Sequence, residues 1–202
     1  MKIICFFATV GVILLGYNLM EITMKDYFKY DYYRMTGEKY KKSIKSTCKL
    51  FFNHQIKFMY LWRKNSYKNS FITKLRIHRL TKKYGLEIST AASIGKGLYL
   101  GHPYNITVAS GVVIGDNVNL HKGCTIGREN RGKRAGVPKI GSMVSVGINS
   151  TVVGNITIGD DVMIAPNSFI NIDIPSHSVV IGNPAQIHKK ENATKSYVNF
   201  LV

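Results

Sequence analysis

Two histidines in the middle of the chain have the setting for acid–base work. His102 follows Gly101 in LGHPYN, and His121 follows Leu120 in NLHKG. An alcohol is a poor nucleophile at neutral pH because its proton is tightly held. An imidazole, with a pKa near neutrality, can take that proton as the hydroxyl attacks. Glu87 lies fifteen residues before His102. A carboxylate can fix an imidazole tautomer and steady its charged form. The competing reading is an exposed corner histidine and a capping glutamate. His177, in IPSHSVVIGNPA, reads as structural, and His54 and His78 belong to a basic segment. Cys5, Cys48 and Cys124 are odd in number and widely spaced, with no CxxC or Cys/His cluster. That argues against a zinc site and a disulfide framework, and fits a reducing compartment.

The elements that must carry these groups are written in a six-residue period. Aliphatics recur at Ile140, Val146, Val152, Ile158, Ile164 and Ile170, at Val108, Ile114, Leu120 and Ile126, and at Ile94 and Leu100. A tiny residue usually follows, as in Gly95, Gly115, Gly141 and Gly159. Six is neither a helical period nor plain strand alternation. It suits a mainly β chain wound as a parallel β-helix, each hexad giving one short strand and one corner, with the aliphatics stacked inside. Twelve hexads at three per turn give about four coils. The stretch from Gly127 to Lys139, GRENRGKRAGVPK, interrupts the hexads and must protrude; it carries Arg128, Arg131, Lys133 and Arg134.

The 202 residues carry a formal net charge of +17, most of it in the first 84 residues, which also hold most of the aromatics. The reading divides the chain at 1–23, 24–84, 85–175 and 176–202, the last a C-terminal cap and tail. Within 1–23, Ile3 to Met20 is mostly apolar and near the lower length limit for a membrane span. It reads as a membrane anchor, or as an extension upstream of a start at Met24, ahead of a signal peptide or a buried helix. Lysines after the run would keep the bulk of the protein cytoplasmic, on the inner face of the membrane. Residues 24–84 interleave cations with rings, as in KLFFNHQIKFMYLWRK, and predict two or three short helices. They read as a membrane-surface patch or a grip on an anionic substrate, or else as helices packed on the next domain. A nucleic-acid partner is the weakest of these readings, and no specific one is expected.

The hexads, the segment GKGLYLGHPYNITV and the closing IGNPAQIHKK resemble the hexapeptide-repeat acyltransferases. The nearest branch is the serine acetyltransferase-like group, which includes sugar O-acetyltransferases of surface-polysaccharide pathways. The likeness covers roughly residues 84–190 and is looser over 24–83. It implies a left-handed β-helix, a homotrimer with active sites between shafts, acetyl-CoA as acyl donor, and no metal. His102 falls where the family carries its general base, and Glu87 where the serine enzymes have an aspartate. Gly127, Ile148, Pro166 and Lys189 match the donor groove. The positive charge of Arg128, Arg131 and Arg134 suits the acceptor or the coenzyme A phosphates, and the competing reading is a solvated loop. Two departures bear on the acceptor. Gly136 and Val137 stand where the serine enzymes have an Arg-His pair for the carboxylate, and Gly101 replaces an acidic neighbour of the base. Both argue for a neutral acceptor, a sugar hydroxyl, with serine O-acetylation for cysteine synthesis as the alternative. A zinc enzyme of the carbonic anhydrase type would need a third histidine inside the repeats, and a non-catalytic scaffold is the remaining reading.

Overall fold

The computed structural model describes residues 27–202. The segment read as an anchor or extension, 1–23, lies outside them. Among the described residues no helix is long and apolar enough to cross a membrane.

Four helices precede the repeats, one or two more than the sequence predicts: α1 (27–36), α2 (Ile44–Phe52), α3 (His54–Tyr67) and α4 (Phe71–Tyr84). Their starts are written in local chemistry. Ser43 and Ser46 form a reciprocal capping box on α2, and Asn53 Oδ1 accepts from the amides of Gln55 and Ile56 to open α3. Gly85 ends α4 in the left-handed region (φ 67°), and a Cβ there would lie 2.2 Å from Asn105 Oδ1. Only glycine fits both the turn and the close approach.

The rest is a left-handed parallel β-helix. The first coil is β1 (Glu87–Ile88), β2 (Ser93–Ile94) and β3 (Tyr99–Gly101). The second is β4 (Thr107–Val108), β5 (Val113–Ile114) and β6 (Asn119–His121). The third is β7 (Thr125–Gly127), β8 (Lys139–Ile140) and β9 (Ser145–Val146). The fourth is β10 (Thr151–Val153), β11 (Thr157–Ile158) and β12 (Val162–Ile164). The fifth has β13 (Phe169–Ile170), a bridge from Ile174 to Ile158, and β14 (Ser178–Ile181). An antiparallel β15 (Gln186–Lys189) folds back on β14. Equivalent strands pair in register into three sheets: A (β1-β4-β7-β10-β13), B (β2-β5-β8-β11) and C (β3-β6-β9-β12-β14-β15).

There are therefore five coils, where the hexad count gives about four. Ile88, Ile174 and Val180 complete the stacks, all buried. In sheet A the inward column is Ile88, Val108, Ile126, Val152 and Ile170. Each such side chain contributes roughly 1.5–3 kcal/mol by leaving water. The corners between sheets B and C are held by a polar ladder. The amides of Lys96, Asp116, Ser142 and Asp160 donate in turn to the side chains of Asp116, Ser142, Asp160 and Ser176 in the next coil.

The first coil has no coil beneath it, so its outer carbonyls would be orphaned. Helix α3 supplies one donor for each sheet. Trp62 Nε1 donates to Ile88 O (3.0 Å), Arg63 Nη1 to Ile94 O (2.7 Å) and Gln55 Nε2 to Leu100 O (2.6 Å). Phe58 and Met59 are fully buried in the same core. Arg63 is itself neutralised by a buried bidentate pair with Asp31 of α1.

At the other end the chain doubles back along the B–C edge as a strap. Asp161 accepts from the Ala193 and Thr194 amides and from Thr194 Oγ1. Asn119 Nδ2 donates to Tyr197 O, Asn117 exchanges two bonds with the Val202 backbone, and Arg34 of α1 donates to Asn199 O.

Candidate active site

His102 occupies the corner between β3 and β4, exposed, with a left-handed backbone (φ 49°) that histidine tolerates better than most residues. The α2–α3 junction overhangs this corner. Lys49, Asn53, Gln55, Tyr99, His102 and Tyr104 help to line a groove of about 640 Å³. His121 lies one coil along the same edge, half-buried. Burial, and then the neighbouring His102, hold its pKa below the ordinary value. The two imidazoles therefore sense one another. At the Gly101↔His121 pair the His121 ring leaves no room for a side chain on residue 101.

Glu87 is exposed on the outer face of sheet A, in register with Thr107, and among the described residues no hydrogen bond or ion pair joins it to His102.

Ile148 and Pro166 fall on the same edge as His102, as the corner bonds show. The Lys122 amide donates to Gly101 O, the Asn149 amide to Lys122 O and the Asn167 amide to Ile148 O. Both residues are exposed there. Gly127, at the end of β7, lies across sheet A on the opposite edge. Lys189 pairs with Ser178, at the start of β14 and hence at the far side of sheet C. So two of the four positions expected to meet the donor gather on the His102 edge of one protomer, and two do not.

The cationic loop leaves from Gly127 and returns at Lys139, folded by a Glu129–Gly136 bridge and a short 3₁₀ turn, Gly132–Arg134. Arg131 and Arg134 rim a cavity of about 360 Å³, and Arg134 donates to Asn171 O. Arg128 reaches Ser110 O at 3.5 Å. The loop therefore sits on the A–B edge, with the face of sheet A between it and His102. Gly136 has φ 141°, and a Cβ there would lie 2.8 Å from Asn155 Cβ, so the fold of the loop itself favours glycine at that position.

Two groove residues carry no sequence signal of their own. Lys49 sits inside a basic run, yet here it pairs with Glu38 at 3.0 Å, which raises its pKa, and faces the groove. His54 stacks on Tyr84 (4.1 Å, 15°), and its Nε2 is buried without a hydrogen-bond partner. Burial first, and Lys83 in addition, lower its pKa against the pull of the Pro103 carbonyl. The Cys124 thiol is pushed up to about 12 by burial and is inert. Among the described residues no three His, Cys, Asp or Glu side chains are placed to hold a metal ion.

Known proteins agree with this architecture. Residues 138–171 match the family described as bacterial transferase hexapeptide (six repeats). Serine acetyltransferase 2 of Arabidopsis thaliana is 40% identical over 111 residues, covering 54% of this chain and 34% of that protein. Serine acetyltransferase of Helicobacter pylori is 32% identical over 138 residues, covering 68% and 74%. The crystal structure of Neisseria gonorrhoeae serine acetyltransferase in complex with serine superposes with a TM-score of 0.65 at 25% identity, covering 85% of this chain and 69% of that one. The matches span only 31% to 42% of the length of the three Arabidopsis relatives. Fold and repeats define the class, the hexapeptide-repeat acyltransferases. Within it, the chain belongs to the serine acetyltransferase family.

These relatives overturn the sugar acceptor and the polysaccharide pathway expected from Gly101, Gly136 and Val137. That expectation weighed single aligned positions. The structure shows that His121 fills the space beside Gly101, that backbone geometry favours glycine at 136, and that Lys49 places a cation in the His102 groove.

Proposed function

We propose that the protein is an acetyl-CoA-dependent serine O-acetyltransferase working as a homotrimer. The observation that carries this reading is the serine acetyltransferase of Helicobacter pylori, matched over 68% of this chain. The geometry supports it. His102 takes the proton of the serine hydroxyl as that oxygen attacks the acetyl carbonyl, then gives it to the departing thiolate of coenzyme A. Lys49 in the groove supplies a cation for the serine carboxylate. The donor lies along the edge that carries Ile148 and Pro166. His102 and the cationic loop occupy opposite edges of sheet A in one protomer. A trimer answers this by setting the loop of one shaft against the His102 edge of the next, so Arg128, Arg131 and Arg134 serve a neighbour's site.

The test is release of coenzyme A thiol from acetyl-CoA on addition of free serine, with the wild type and His102→Ala. The wild type turns serine over, and the variant stays folded with a loss of about 10²–10⁴-fold. A folded wild-type protein that shows no serine-dependent release, or a His102→Ala variant of near-normal rate, overturns the reading.

A further inference from the structure

Helices α2 to α4 carry ten Lys and Arg and no Asp or Glu. Arg63 is used in the shaft cap, and Lys45 and Lys49 pair with Glu38. On α4, no ion pair holds Lys74, Arg76, Arg79, Lys82 or Lys83 among the described residues. Large apolar side chains stand among these cations in water. Phe71 is 80% exposed, Ile72 62% and Leu75 42%, and on α2 Phe51 is 70% exposed. Ile72, Arg76, Arg79 and Lys83 follow one another at intervals of three and four along α4, so one flank presents both kinds of side chain. A groove of about 800 Å³ between α2, α3 and α4 is rimmed by Phe51, Arg76, Arg79 and Lys83.

We propose that this face of α2 and α4 docks on an anionic lipid surface. Charge selects the occupant. A second copy on the same face would set cations against cations. A polynucleotide would answer the cations but leave Ile72 and Leu75 in water. A bilayer interface answers both, with anionic headgroups for Lys and Arg and the acyl boundary for Phe, Ile and Leu. The face belongs to the helices and borders the groove at Tyr99 and His102, with which it shares Phe52 and His54.

The experiment uses the full chain with Cys5→Ser, Cys48→Ser and Leu75→Cys, labelled at residue 75 with an environment-sensitive nitrobenzoxadiazole dye. Cys124 is buried and does not compete. A second protein carries the dye at Thr157→Cys, on sheet B. Vesicles of phosphatidylcholine, with or without phosphatidylglycerol, are added at low and high salt. The dye at 75 shifts to the blue on phosphatidylglycerol vesicles at low salt and recovers at high salt, because charge attraction is screened within about 10 Å at 0.1 M salt. The dye at 157 does not respond. Adding Arg76→Gln, Arg79→Gln and Lys83→Gln weakens the response on the order of 100-fold, from roughly fivefold per basic residue. A dye at 75 that ignores anionic vesicles overturns the proposal, as does a triple variant that binds as well as its parent. A response to DNA without one to vesicles reassigns the face to nucleic acid. A concentration-dependent shift without lipid reassigns it to a second copy.

Discussion

The His121 ring fills the space that a side chain on residue 101 would need: a Cβ there would lie 2.2 Å from His121 Nδ1. Glycine at 101 is thus the condition for this histidine to stand one coil from His102. Gly101→Ala should push the ring aside while leaving the Leu100–Leu120 stack in place. With His102 as the proposed base, a displacement of that size beside it should cost on the order of 10²-fold in kcat. Adding His121→Ala vacates the space and should recover part of the loss. Steady-state kinetics of the two variants read this directly, and equal rates for both would show that the ring's position is irrelevant.

The buried Asp31–Arg63 pair should behave as a unit. Arg63→Met removes two donors from the outer carbonyls of the first coil and leaves the Asp31 carboxylate buried with the Leu98 amide, 2.8 Å away, and the Gly97 amide. Breaking one side of such a pair costs about 3–5 kcal/mol. Combining it with Asp31→Asn removes the stranded charge, so the double variant should be less destabilised than the two single losses added together. Urea unfolding of the four proteins tests the coupling.

The strap should have a pH window. A hydrogen bond to Asp161 raises the His177 pKa, with Glu191 assisting. Burial would raise the Asp161 carboxyl, but hydrogen bonds from the Thr194 amide, His177, Thr194 Oγ1 and the Ala193 amide more than offset it and hold the pKa down. A raised histidine contributes fully below its ordinary value of 6.5, and its contribution is lost as pH rises through the folded value. A lowered carboxylate contributes above 3.8 and loses its contribution as pH falls through the folded value. Docking of residues 190–202 should therefore be tightest between those limits. Amide exchange at Ala193 and Thr194, corrected for intrinsic rates, should speed up on both sides of the window, and His177→Ala should remove the alkaline limb and move the acid limb to higher pH.

The hexads were legible because one aliphatic per strand has a single job, filling a narrow shaft. The end coils were harder to read. Ile174 follows Ile170 by four residues, and Ile88 lies outside the counted runs although it continues their spacing. His102 could be picked out by its place after Gly101. The cap on the first coil could not, since Trp62 and Arg63 look like any other members of a basic aromatic run until their partners, backbone carbonyls, are in place. Lys49 and His54 were hidden for the same reason: they reach the groove only because α2 and α3 fold over the His102 corner.

Solenoids ordinarily lose their terminal turns first, since each turn is held only by the next. The C-terminal strap removes that freedom here. It joins the corner of the fourth coil at Asp161 to the second coil at Asn117 and Asn119 and to Arg34 on the first helix. The last turn cannot peel away without also releasing contacts near the beginning of the shaft. A one-dimensional stack has become a closed circuit, and melting should run through it as one event instead of unzipping from an end.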